Sequence, residues 1–253
     1  MRSLLLGGAV LMAALSGTAL AADMQPVFKT LPPSAATGPY DWSGLYGGLN
    51  AGYSWGNVPF DYLIAGVPAA SSTLSPNGPL GGAQLGYNVQ SGSFVFGLET
   101  DFAWRHATDS STLLAPGGPG SAGFQTQQGW IGTLRPRAGV AADNWLFYAT
   151  GGLAFGSVKH SYTEDGAGAG RAVSDSDTRV GWTVGGGVEY AGGKRWSLGL
   201  EYLYADFGKA SLSQPSQVIG GVPFPSSTAT FHDQSHILRG KFNYRFDWGI
   251  PHN

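Results

Sequence analysis

From Trp42 to Phe246 apolar and polar residues alternate. In "LYGGLNAGYSW" Leu45, Leu49, Ala51, Tyr53 and Trp55 share one parity, while Tyr46, Asn50 and Ser54 share the other. Alternation with period two predicts a strand, and its persistence over eleven residues exceeds the ~5–6 of an ordinary one. The pattern returns in "GGAQLGYNVQ", "FVFGLETDFAWR", "GWIGTLRPRAGV", "WLFYATGGLAFG", "RVGWTVGGGVEY", "WSLGLEYLYA" and "HILRGKFNYRF". Eight strands are therefore expected. Their connections also alternate. Short turns fall at 90–93, 142–144 and 191–194, and long polar, Gly/Pro-rich segments at 56–79, 106–125, 161–176 and 211–230.

A strand of ~9–11 residues suits a tilted bilayer crossing, and short turns opposite long loops suit a barrel in an outer membrane. The predicted fold class is all-β: an eight-stranded antiparallel transmembrane up-and-down β-barrel with short periplasmic turns and long extracellular loops. The even strand count puts both ends of the barrel on the periplasmic side. Aromatics sort by depth. Tyr87, Phe94, Trp145, Tyr190, Trp196, Tyr244 and Phe246 fall at the periplasmic level, and Tyr53, Trp55, Trp104, Trp130, Phe155, Trp182, Tyr202 and Tyr204 at the outer one. Leu, Val and Ala lie between, as for a bilayer core between two headgroup girdles.

The opposite parity carries the charges. Glu99, Asp101, Glu189 and Glu201 share it with Arg105, Arg135, Arg137, Arg179, Arg239, Lys241 and Arg245. Buried charges persist when paired, and an eight-stranded interior is just wide enough for side chains to fill. A lumen ion network of these eleven residues and a largely plugged interior are expected.

Composition agrees with a membrane barrel. Charged residues make up 12% of the chain, about half the usual ~25%, beside 41 glycines and eight tryptophans. The chain has no cysteine, which excludes disulfides, thiolate metal sites and a cysteine nucleophile. A formal net charge of −2 gives no support for a nucleic-acid partner. At the N-terminus Arg2, the apolar run Leu4 to Leu15 and Ala19-Leu20-Ala21 have the layout of a secretory signal peptide. That run is too short for a spanning helix, which needs about 20 apolar residues. The expected organisation is a signal peptide over 1–22, a Pro-rich periplasmic tether over 23–41, the barrel over 42–246 and a C-terminal extension over 247–253.

Sharper chemistry finds little footing. The carboxylates admit an acid/base reading for hydrolysis, but their recurrence on several strands at one parity favours a structural network. Gly81-Gly82 lacks the Lys-Ser/Thr of a phosphate loop, and no GxSxG elbow occurs. No catalytic residue and no cofactor are assigned, and no metal site has ligand spacing. His106, His160, His232 and His236 fall near the long-loop ends, so a surface haem or metal site built from them is the competing expectation.

"DWSGLYGGLNAGYSWG", "RPRAGVAADNWLFYATGGLAFG", "LGLEYLYADFG" and "ILRGKFNYRF" resemble the small outer-membrane β-barrel proteins of alphaproteobacteria, often labelled porin-family or outer-membrane immunogenic proteins. The resemblance spans Asp41 to Phe246, with the segments in the family's order. It implies an eight-stranded barrel, envelope maintenance, a surface-antigen role and, in some members, haemin binding or weak solute passage. Family members commonly end on a terminal aromatic, whereas this chain continues as "DWGIPHN". The alternation of Leu238, Phe242, Tyr244 and Phe246 resembles the signal that barrel-assembly machinery reads. Expected partners are outer-membrane lipid, lipopolysaccharide and that machinery, with haem as a partner on the competing reading. The favoured function is a structural and surface-interacting envelope protein; the alternatives are a narrow solute pore, a haem-binding protein, or a soluble secreted barrel with an interior ligand.

Overall fold

A computed structural model describes residues 40–114, 120–166 and 169–246. Among these the strands are β1 (Gly44–Ile64), β2 (Val67–Leu74), β3 (Asn77–Ser91), β4 (Phe94–Leu114), β5 (Gly120–Ala142), β6 (Trp145–Gly166), β7 (Ala169–Ala191), β8 (Trp196–Gln214), β9 (Gln217–Ile219), β10 (Val222–Phe224) and β11 (Ser227–Arg245). The ring runs β1-β3-β4-β5-β6-β7-β8-β11, antiparallel throughout, and β11 pairs back onto β1. Eight strands thus form a closed up-and-down barrel. β2 hangs on the outer half of β1, and β9 with β10 makes a small hairpin. The signal peptide, most of the tether and the extension 247–253 lie outside the described residues.

Register delivers the two aromatic levels. At the end with short turns Trp145 pairs with Tyr190 and Tyr244 with Trp196. At the other end Trp104 pairs with Trp130, Trp55 with His236, and His236 with Tyr204. Between them Leu49, Leu98, Leu134, Val184 and Leu198 are exposed on the outer wall. Apolar side chains this exposed, over a band around a closed sheet, require hydrocarbon rather than water outside.

The long connections differ from expectation. Strands of the ring run from 15 residues in β3 to 23 in β5 and β7, well past the aromatic levels. Most of what reads as polar loop in 56–79, 106–125, 161–176 and 211–230 is strand, and bulges explain why the alternation hides it. Gly208, at φ +73°, lets Phe207 and Gly208 together oppose Asp233, so the inward parity passes from Leu203, Ala205 and Phe207 to Ala210, Leu212 and Gln214. Similar shifts sit between Trp104 and Ala107 and between Gln128 and Ile131. A bulge adds one residue and re-aims every side chain beyond it.

Beyond the bulges the ring divides. β1 leaves β3 after Trp55 and takes up β2, while β7 and β8 part above the Trp182–Asp206 pair. The outer halves form two four-stranded sheets, β2-β1-β11-β8 and β4-β5-β6-β7. They pack through Val58, Phe60, Leu74, Leu212 and Phe231 from one and Phe124 and Tyr162 from the other. Phe60 and Phe124 meet at 4.5 Å between ring centroids.

Inward glycines permit the tight curvature. A Cβ on Gly185 would stand 2.1 Å from the Tyr202 carbonyl oxygen, and one on Gly52 2.2 Å from that of Leu238. On Gly240, which faces outward, the nearest atom would be 3.8 Å away. Gly185→Val is therefore expected to abolish folding and Gly240→Val to be tolerated. The check is whether each protein, refolded in detergent, migrates as a compact species on an unheated gel and shifts on boiling.

Candidate functional site

The mid-lumen is built from alternate residues of neighbouring strands. β4 contributes Glu99 and Asp101, β5 Arg135 and Arg137, β7 Glu189, β8 Glu201, and β11 Arg239 and Lys241; all are buried. Arg135 Nη2 lies 2.8 Å from Glu99, 2.9 Å from Asp101 and 3.4 Å from Glu201. Arg239 donates to both oxygens of Asp101 at 3.0 Å and lies 2.6 Å from Glu201. Lys241 Nζ donates to Glu99 at 2.7 and 2.8 Å. Arg137 donates to Glu189 at 2.7 Å.

Neutral groups complete these shells. Tyr46 donates to Glu99 at 2.6 Å, Tyr148 to Glu201 at 2.9 Å and Asn243 to Glu189 at 3.1 Å. Arg137 lies over the rings of Tyr46 and Tyr148 at 4.7 and 5.1 Å. These two tyrosines are part of the site, although sorting aromatics to the lipid face draws attention away from them. Their inward parity is the signal that finds them.

Apolar layers flank the charges. Toward the outside lie Leu80, Ile131, Leu203, Phe207 and Ile237. Toward the periplasm lie Val95, Leu146 and Trp42, the last from the segment before β1. Trp42 is held through its backbone, its N–H donating to Gln90 at 2.8 Å and its carbonyl accepting from Asn88 at 3.1 Å.

Three of the eleven expected network residues stand apart from it. Arg105 is buried one layer further out, where it donates to Ser235 at 3.1 Å and lies 5.9 Å from the Phe207 centroid. Arg179 sits above the point where β7 and β8 separate and donates to the Lys209 carbonyl at 3.2 Å. Arg245 belongs to the periplasmic mouth, bonding the Asp41 and Lys194 carbonyls and stacking on Tyr40. The depth of each along its strand, rather than its parity, separates it from the carboxylates.

Nor do the four histidines meet. His106 is exposed on β4, and His160 is buried on β6, bonded to Thr126 at 3.0 Å and Asp233 at 2.9 Å. His232 pairs with Asp206 at 3.1 Å, while His236 stacks on Trp55 and bonds Tyr202 at 2.7 Å. They lie on three strands and on both faces of the wall. Among the described residues no group of three or more His, Cys, Asp or Glu is placed to hold a metal ion. The outward residues Leu238, Phe242 and Tyr244 of the closing strand and Phe246 just after it form an exposed stripe.

A closed antiparallel ring with lipid-facing aliphatics and inward charges has a counterpart in known sequences. The family description "outer membrane protein beta-barrel domain" matches residues 8–246. The chain belongs to this family. Among its relatives is the 31 kDa outer-membrane immunogenic protein of Brucella melitensis biotype 1, 37% identical over 97% of this chain and 100% of the relative. A 22 kDa outer membrane protein of Rhizobium leguminosarum bv. viciae is 31% identical over 66% of this chain and 64% of its own. Among solved structures, the outer membrane protease OmpT from Escherichia coli shares 8% identity at a TM-score of 0.48, over 80% of this chain and 96% of that one. The resemblance read from the four quoted segments is borne out, and with it the place of the family member in the outer membrane. These curated relatives are named as outer-membrane and immunogenic proteins, not as enzymes.

Removing one partner of a buried charge cluster leaves the others uncompensated, which costs ~3–5 kcal/mol. Arg135→Met strands parts of Glu99, Asp101 and Glu201 together. A loss of about that size is expected in urea unfolding from lipid vesicles. An unchanged unfolding midpoint would mean that these carboxylates do not depend on Arg135.

Proposed function

We propose that this family member is a structural and surface-interacting component of the outer membrane whose lumen does not conduct. The observation that carries the reading is the charge balance at mid-lumen. Glu99, Asp101, Glu189 and Glu201 are matched by Arg135, Arg137, Arg239 and Lys241, each within ion-pair distance of an opposite partner. A permeating ion would have to break pairs held in a low dielectric, where their attraction is strongest. Clusters of buried apolar side chains narrow the way on either side of the charges. On this reading the barrel has no catalytic role.

The wall and the outer extension supply the partners. Exposed aliphatics between aromatic levels suit lipid, with lipopolysaccharide at the outer level. The stripe on β11 suits docking to barrel-assembly machinery during insertion. Some relatives are named immunogenic, and the two outer sheets are the part of this chain that antibodies would meet.

Single-channel recording in planar bilayers tests the closed lumen. The purified, refolded protein is expected to give no discrete conductance steps above baseline. Reproducible unitary steps would replace this reading with a narrow pore.

A further inference from the structure

In hydrocarbon no strand edge goes unpaired, yet above the aromatic level one does. β6 stays paired with β7 up to the Gly166–Ala169 pair, whereas β8 stops pairing with β7 at Asp206–Trp182. From Ala172 to Thr178, β7 therefore has one ladder partner among the described residues, and its other edge is open. The facing part of β8 pairs only with β11. An arginine marks each end of the gap. Arg179 reaches the Lys209 carbonyl at 3.2 Å, and Arg171 reaches the Pro215 and Pro225 carbonyls at 2.7 Å. Glu164 holds Arg171 in place from the next strand.

Between those arginines β7 reads Ala172-Val173-Ser174-Asp175-Ser176-Asp177-Thr178, and from Ser174 to Thr178 it is exposed. Asp175 and Asp177 lie on the same face as Arg171 and Arg179, and among the described residues neither aspartate makes a side-chain hydrogen bond or ion pair, whereas Asp206 and Asp233 nearby are each held by a histidine. Ser174, Ser176 and Thr178 occupy the other face. An open edge is a template for an added strand. Charge decides which strand. A second copy added edge to edge would set Asp175 and Asp177 against their own like charges, which is destabilising across a strand pair.

We propose that this edge of β7 receives an extended, basic segment of another protein by strand addition, with Lys or Arg at two alternate positions opposite Asp175 and Asp177. Main-chain hydrogen bonds supply the affinity, and the two carboxylates select the charge and the face. Small hydroxyl side chains on the far face leave space for any residue there. The inference deepens, and rests on, the reading of the outer extension as an interaction surface; it is independent of whether the lumen conducts.

The test uses the full mature chain in lipid nanodiscs at about 0.15 M salt, where the Debye length of ~8 Å screens long-range attraction. The probe is the peptide Thr-Thr-Lys-Thr-Lys-Thr-Thr, followed by fluorescence anisotropy. Binding is expected, with an affinity loss of about tenfold or more for the same peptide N-methylated at every backbone amide. A similar loss is expected for Asp175→Lys/Asp177→Lys, whose folding is verified by the gel shift on boiling. Equal binding of the methylated peptide would overturn strand addition while leaving a charge-attracting surface. Equal binding to the double variant would overturn the assignment to this edge. No binding at all would overturn the inference and leave a closed lumen standing on its conductance result.

Discussion

A backbone amide in hydrocarbon has no water to turn to, so a membrane-spanning sheet cannot leave an edge. The seam between β11 and β1, from Tyr46–Arg245 upward, removes that edge here. Much else follows from closing at eight strands. The ring is narrow, so inward Gly52 and Gly185 approach neighbouring carbonyls where no Cβ fits. An eight-stranded interior is about as wide as side chains can fill.

What fills the lumen obeys a second constraint, that charges removed from water need partners. Arg135, Arg239 and Lys241 each reach more than one carboxylate, so Glu99, Asp101 and Glu201 are shared rather than paired off. Tyr46, Tyr148, Asn243 and Ser197 then use the remaining acceptor positions. Sharing ties together β4, β5, β8 and β11 across the lumen, strands that are not all ladder neighbours. The cost of desolvating these groups means the network is not a simple gain in stability. Its geometric effect is to oppose register shifts, since a slip of one residue would turn each charge toward lipid.

Parity made the membrane half legible. Alternation places Glu99, Asp101, Arg135, Arg137, Glu189, Glu201, Arg239 and Lys241 inward without any knowledge of their partners, and the register then brings them to one level. Depth was harder. Arg105, Arg179 and Arg245 have the right parity for their own stretches, but lie too high or too low to reach the carboxylates. The outer strands were hidden for a different reason. Their inward residues change parity at bulges such as Gly208, and Ser, Gly and Pro on the outside give them the composition of loops. Trp42 opens the alternation with the inward parity of Tyr46, but periodicity alone does not show that it precedes β1 and packs into the periplasmic mouth.

The constraint that closes the barrel also explains why it opens. Above the aromatic level water can satisfy an amide, and the penalty for a free edge falls from several kcal/mol to almost nothing. The outer strands are then held by burial instead of closure, with Phe60, Phe124, Tyr162 and Phe231 packed between two sheets. At the top of that core Tyr62, Tyr162 and Arg171 converge on Glu164, and burial followed by the Glu164 hydrogen bond pushes the Tyr62 hydroxyl up, so it remains a donor. A sandwich of this kind needs no continuous ladder around its rim. The same chain thus carries a sealed ring where lipid forbids edges and open ones where water permits them.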